Sequence, residues 1–213
     1  MNELTYSIIA GIVALVSSIF SLILSFSYKK HLNKKVSPDI GVKEMIKSEK
    51  IIKNFLIQYN LGEAYTIEMV AEILKIKLMG DSENLYNNQA SLSEPDKDGF
   101  RYVYFQKDLT IIQKRFALAH ECAHVLHEHP MPATRIGQHN DIFEEQLADY
   151  TAAALLMPYK KIIRYLYHEE YFYSKKFKRK QIIEKICSQF GVSDEMCIRR
   201  INEVVLLKSC FEI

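Results

Sequence analysis

Two histidines four residues apart inside a helix constrain this chain more than any other feature. His120-Glu121-Cys122-Ala123-His124 lies in the run Arg115 to His127, which reads as one continuous helix. A helix turns about 100° per residue, so residues four apart return to nearly the same face, and both imidazoles can reach one cation. Glu121, one step round, faces the space beside that cation, where a carboxylate can take a proton from a water acidified by the metal. HExxH patterns also arise by chance, and the competing reading is an amphipathic helix that merely carries two His and a Glu. The neighbours argue against it. Phe116, Ala117, Ala119, Ala123 and Val125 make the helix apolar on most sides, the mark of burial. His and Glu are costly to bury without a partner, and a metal supplies one.

Two histidines and a water leave a catalytic zinc one protein ligand short. The metzincin solution needs Gly at 127 and His at 130, where this chain has His127 and Pro130, so it is excluded. The other common solution is a Glu from a following helix. Asp141 is a good N-cap, and Ile142 to Leu156 is a strong helical run stopped by Met157-Pro158. Of its adjacent glutamates, Glu145 has Asp149 one turn on, whereas Glu144 has Ala148 there. Glu145 is therefore the expected ligand, with Asp149 accepting a hydrogen bond from the far nitrogen of a ligating histidine. The ordinary fate of Glu and Asp on a helix, a solvated face, is the alternative.

RFALAHECAHVLH followed by EQLADYTAAALLMP resembles the ImmA/IrrE family of zinc metallopeptidases, whose two helices carry the forms RFtlAHElgH and ExxAnxfAaeLLMP. The resemblance is close over about 110 to 158 and weaker from 44 to 109. QIIEKICSQFGVSDEMCIRRI echoes the family's closing segment. It implies one zinc held by His120, His124 and Glu145, with Glu121 as catalytic base. It also implies an α+β, zincin-like (gluzincin-type) domain with active-site helices and a small sheet, and a protein substrate that is a DNA-binding, repressor-type regulator. The chain departs from the pattern at Cys122, Ala123, Tyr150 and Thr151, none a ligand position, which puts substrate preference in question more than chemistry.

The first residues carry a second signal. Leu4 to Phe26 holds no charge, and about 20 apolar residues cross a bilayer core. Lys29, Lys30, Lys34 and Lys35 follow it, which places that end in the cytoplasm. A signal peptide would carry its basic residues before the core. The expectation is one transmembrane helix at 4–26, anchored in the lipid bilayer, a basic juxtamembrane linker at 27–43, and a cytoplasmic metallopeptidase domain at 44–213 with a helical subdomain at 159–213. Cys122, Cys187, Cys197 and Cys210 show neither CxxC spacing nor a dense framework, and read as reduced, packed thiols.

Elsewhere the pattern predicts helices at 43–59 and 66–75, a short strand at 76–79, and a polar loop or hairpin arm over 80–99. Phe100 to Phe105 reads as a strand, either in the core or at an edge where an extended peptide could add. Ser193 is expected to cap a last helix. The net charge of +2 leaves no footprint for nucleic acid, and Asp194-Glu195 would face phosphates with the wrong sign, so the closing helix-turn-helix reads as structural. The leading function is a membrane-anchored zinc endopeptidase. A non-catalytic zinc-binding regulatory module and a toxin-like membrane-tethered module are the alternatives. Glu121 argues against the first, since a structural site has no use for a base. Zinc stoichiometry separates the second. His139, Tyr150 and Tyr159 are candidates for stabilising the oxyanion.

Overall fold

A computed structural model describes residues 40–82, 90–129, 141–169 and 176–211, all within one compact unit, Asp39–Ile213. Its elements are α1 (Val42–Gln58), α2 (Ile67–Ile73), β1 (Ile76–Ser82), β2 (Ala90–Leu92), β3 (Arg101–Gln106), α3 (Ile111–Leu126), α4 (Asp141–Leu156), α5 (Tyr159–His168), α6 (Lys176–Phe190) and α7 (Asp194–Phe211). The domain is helix-rich α+β with a small sheet, as expected.

The sheet has the order β1-β3-β2, with β1 parallel and β2 antiparallel to β3. This decides between the two readings of FRYVYF: β3 is the central strand, paired on both sides, so it offers no edge to a peptide. Its alternation fits that place, with Val103 and Phe105 buried and Tyr104 exposed. The segment 80–99, expected to be a loop or arm, contributes the end of β1 and the whole of β2. Three residues of β2 are too few to show a period, which is why the pattern missed them. In the turn before β3, Asp96 accepts backbone hydrogen bonds from Asp98 and Phe100, each at 2.9 Å, and one from the Tyr102 hydroxyl at 2.7 Å.

Helix α3 begins four residues before the run singled out in the sequence. Thr110 and Gln113 close a capping box there, which satisfies orphan amides at the start of the helix. Arg115, one turn in, donates to the carbonyls of Phe190 and Gly191 at 3.0 and 2.9 Å. Gly191 has φ +60°, and a Cβ there would come within 2.5 Å of the Arg115 guanidinium; only glycine fits. Helices α3 and α4 pack on each other more extensively than any other helix pair. Ala117, Ala119, Ala123, Ala148, Ala152 and Ala153 are buried in them, and small side chains let two backbones approach closely. Cys122 is fully buried, as packing requires, and Ser193 caps α7 by accepting from the Met196 amide at 3.3 Å.

The expected single-pass membrane location is corrected. Among the described residues no helix is long and apolar enough to cross a membrane. The longest, α7, carries Asp194, Glu195, Arg199, Arg200, Glu203 and Lys208, charges that a bilayer core excludes. The run 4–26 and most of the stretch 27–43 lie outside the described residues, and nothing in the structure supports a lipid partner. Ile40 and Met45 are already buried in the domain core, so that core reaches upstream of residue 44.

Candidate metal centre

The four residues that the sequence marked on α3 and α4 as ligands and their support come together. His120 Nε2 lies 2.9 Å from His124 Nε2 and 3.0 Å from Glu145 Oε2, and His124 Nε2 lies 3.4 Å from Glu145 Oε1. Donors held tetrahedrally at about 2.0–2.1 Å from a zinc stand about 3.3 Å from one another. The two imidazole nitrogens and the Glu145 carboxylate, which meets them with different oxygens, therefore converge to within reach of one ion. Among the described residues they form the one group of His, Cys, Asp and Glu that could hold a metal ion.

The support on the far side of the rings is also present. His120 Nδ1 lies 2.9 Å from Asp149 Oδ1, so a carboxylate accepts from Nδ1–H and leaves Nε2 facing the other donors. Asp149 is in turn approached by Arg199 from α7, whose Nη2 donates to the Asp149 carbonyl at 3.4 Å and whose Nη1 lies 3.7 Å from Oδ2. His124 Nδ1 faces His129 Nδ1 at 2.9 Å, so that one ring donates to the other. Glu144 is not in the donor group.

The electrostatics follow from this crowding. Burial pulls the His120 imidazole down, but its hydrogen bonds to Asp149 and Glu145 outweigh that and raise it to about 9. Burial pushes Glu145 up, and the two imidazoles more than reverse it, holding its carboxyl well below the usual carboxylate range. Without a metal, His120 is thus a cation between two carboxylates. A metal cation held there would stand in place of the His120 Nε2 proton. Glu121 is partly exposed beside the pair, close enough for its charge to help raise His120. Burial pushes the Cys122 thiol far up, so it offers no thiolate to compete for metal.

The other sequence candidates fall elsewhere. Tyr150 donates to Glu49 Oε1 at 2.9 Å and accepts from Arg200 Nη1 at 3.1 Å, about 100° round α4 from Asp149, so its hydroxyl is engaged away from the donor set. Tyr159 opens α5 and lines a separate cleft. His139 lies outside the described residues. His129 and Arg199 escaped the sequence reading. His129 sits beyond the end of α3, and Arg199 is far along the chain, so neither shares a period with the ligands.

His127, used in the sequence only to exclude one ligand class, has Nε2 2.8 Å from Thr151 Oγ1 and 3.4 Å from Ser48 Oγ. Burial, Lys47 and His124 lower it to about 4, so it stays neutral and ties the end of α3 to α1 and α4.

Comparison with known proteins gives a family. A search of curated proteins returns no match. Among solved structures, a Mycobacterium tuberculosis transcriptional regulator is similar at a TM-score of 0.47 and 18% identity, over 74% of this chain and 46% of that one. This chain thus spans less than half the length of that protein. The sequence profile of the IrrE N-terminal-like domain, peptidase family M78, matches residues 71–202, a span that holds the whole donor set, and the chain belongs to that family.

Proposed function

We propose that this domain is a zinc-dependent endopeptidase whose substrate is a regulatory, repressor-type protein, with His120, His124 and Glu145 as ligands and Glu121 as base. The observation that carries the reading is the convergence of two imidazole nitrogens and the Glu145 carboxylate, at contacts of 2.9, 3.0 and 3.4 Å, beside Glu121, whose charge reaches His120. A zinc bound there supplies Lewis acidity toward a water and a peptide carbonyl.

The chain's own residues do the rest. Asp149 keeps the His120 proton on Nδ1 and so keeps Nε2 open as a donor. His129 Nδ1 meets His124 Nδ1 on the same far side of its ring. Glu121 takes the proton from the attacking water and delivers it to the amine nitrogen of the breaking bond, one carboxylate acting first as base and then as acid. A repressor-type substrate rests on the family resemblance alone. Nothing in the charge distribution favours nucleic acid as a direct partner.

The test uses Glu121→Gln in the full chain. It should keep one zinc by elemental analysis and lose cleavage by about 100-fold or more, as expected for a general base. A variant that retains both zinc and wild-type cleavage would show that Glu121 is not the base. Absence of zinc from the wild-type chain, even after reconstitution, would overturn the metal assignment itself.

A further inference from the structure

A cleft of about 430 Å³ opens between α1, the segment that follows it, and the junction of α4 with α5. None of the metal-centre residues lines it. Its floor is apolar, formed by Ile52, Leu56, Leu61, Tyr65, Ala154 and Pro158. The one phenol among them is satisfied, because Tyr65 donates its hydroxyl to the Leu155 carbonyl at 2.7 Å.

The charges on the walls do not cancel. Two carboxylates and three lysines line the cleft, Glu49, Glu63, Lys53, Lys160 and Lys161. Both carboxylates are already held by arginines. Glu49 Oε1 accepts from Arg200 Nη2 at 2.6 Å, and Glu63 takes both arms of Arg164 at 3.0 and 3.1 Å. Lys161 stands over the Tyr65 ring, 5.9 Å from its centroid, and Lys160 and Lys161 help to hold the Glu63 carboxyl low, after Arg164, without a salt bridge to any carboxylate of the described residues. An apolar trough thus carries a net positive rim.

We propose that this cleft binds a single-chain anionic amphiphile, a long-chain carboxylate by its chemistry, with its tail on the apolar floor and its head among Lys53, Lys160 and Lys161. The size separates this ligand from a protein. Small-molecule pockets run from about 300 to 1,000 Å³ and are mostly apolar with a few polar groups, whereas a stable protein interface takes about 800 Å² from each partner. The sign of the rim selects the head group. The proposal stands apart from the proteolytic reading, since no residue is shared between the cleft and the donor set.

The experiment is calorimetric titration of the full chain with dodecanoate, dodecanol and dodecyltrimethylammonium, each below its micellar concentration and at low salt. Saturable one-to-one binding of dodecanoate is expected, roughly ten-fold or more tighter than that of the neutral and cationic chains, and weakening as salt screens the open rim. Lys160→Glu with Lys161→Glu should cost dodecanoate about ten-fold and favour the cationic chain. Lys160→Met with Lys161→Met should erase the preference without reversing it. Ile57→Asp, at a lining position with 67% exposure, changes the cleft with little risk to the fold and should weaken dodecanoate. Amphiphile taken up elsewhere on the chain would not respond to these substitutions. Equal affinity for the three head groups, binding undiminished in the lysine variants, or no binding of dodecanoate would each overturn the proposal.

Discussion

Helix α4 carries two polar clusters on consecutive residues, and they are built to opposite ends. Asp149 belongs to the metal centre, where the Glu145 and Asp149 side chains keep 47% and 39% of their exposure and the donors bond mainly to one another. Tyr150 belongs to a second cluster with Arg200, Glu49 and Glu203, in which Arg200 is 0% and Glu203 1% exposed while Glu49 reaches the wall of the cleft. Arg200 there donates to the Met157 carbonyl, the Tyr150 hydroxyl and Glu49. On the proposed reading, the first cluster exchanges the His120 Nε2 proton for a metal. The second spends its donors tying α1, α4 and α7 together. The difference teaches that buried charge alone does not mark a functional site; what marks it is a donor set whose members satisfy each other and face a shared opening.

The sharpest way to break this comparison is to remove one member from each side. His124→Ala or Glu145→Ala should take zinc content from one per chain to near zero by elemental analysis, while Glu144→Ala leaves it intact; the reverse ranking of the two glutamates would mean that α4 is rotated about its axis. Arg200→Met should destabilise the zinc-free protein by about 3–5 kcal/mol in denaturant unfolding, because Glu49 and Glu203 are left without their buried partner. His124→Ala under the same conditions should cost less than about 1 kcal/mol. If the two losses were equal, the division between a trading cluster and a tying cluster would fail.

A finer test lies where the clusters nearly meet. Asp149→Ala should weaken zinc about 10- to 100-fold in a chelator competition assay, the usual loss when the partner behind a ligating histidine is removed. The smallest effect concerns pH. Burial, working against the pull of Arg200 and Arg199, raises the Glu203 carboxyl from 4.5 to about 7. Its contribution to stability is therefore full below about pH 4.5 and declines as pH rises through 7, since the unfolded chain loses this proton first. His127, lowered to about 4, contributes with the opposite slope, but it cancels when wild type is compared with Glu203→Gln. The stability difference between the two should shift across pH 4.5 to 7 and stay flat above it.

The metal centre was legible because its information is local. Four-residue spacing places His120 with His124 and Glu145 with Asp149, and the alanines around them announce burial before any coordinate does. The Arg200 cluster was not legible. Glu49 and Arg200 lie 151 positions apart, and each reads as an ordinary surface charge until packing brings α1 against α7. For the same reason Tyr150, set beside the ligands by the chain, reads as a candidate at the metal, while its hydroxyl is taken by Glu49 and Arg200. The central place of β3 also needed structure, since alternation gives the buried face of a strand and says nothing of its neighbours.

The position of Arg200 has a consequence for how the protein comes into being. During synthesis the chain emerges from its N-terminus, and both histidines and Glu145 leave the ribosome before any of α7 has been made. At that moment Tyr150 and Glu49, both already made, lack the Arg200 guanidinium that donates to each of them. Asp149, the carboxylate behind His120, likewise lacks Arg199. The residues that would hold a metal are thus complete in sequence while the support that α7 lends to the helix bearing Glu145 is still to come.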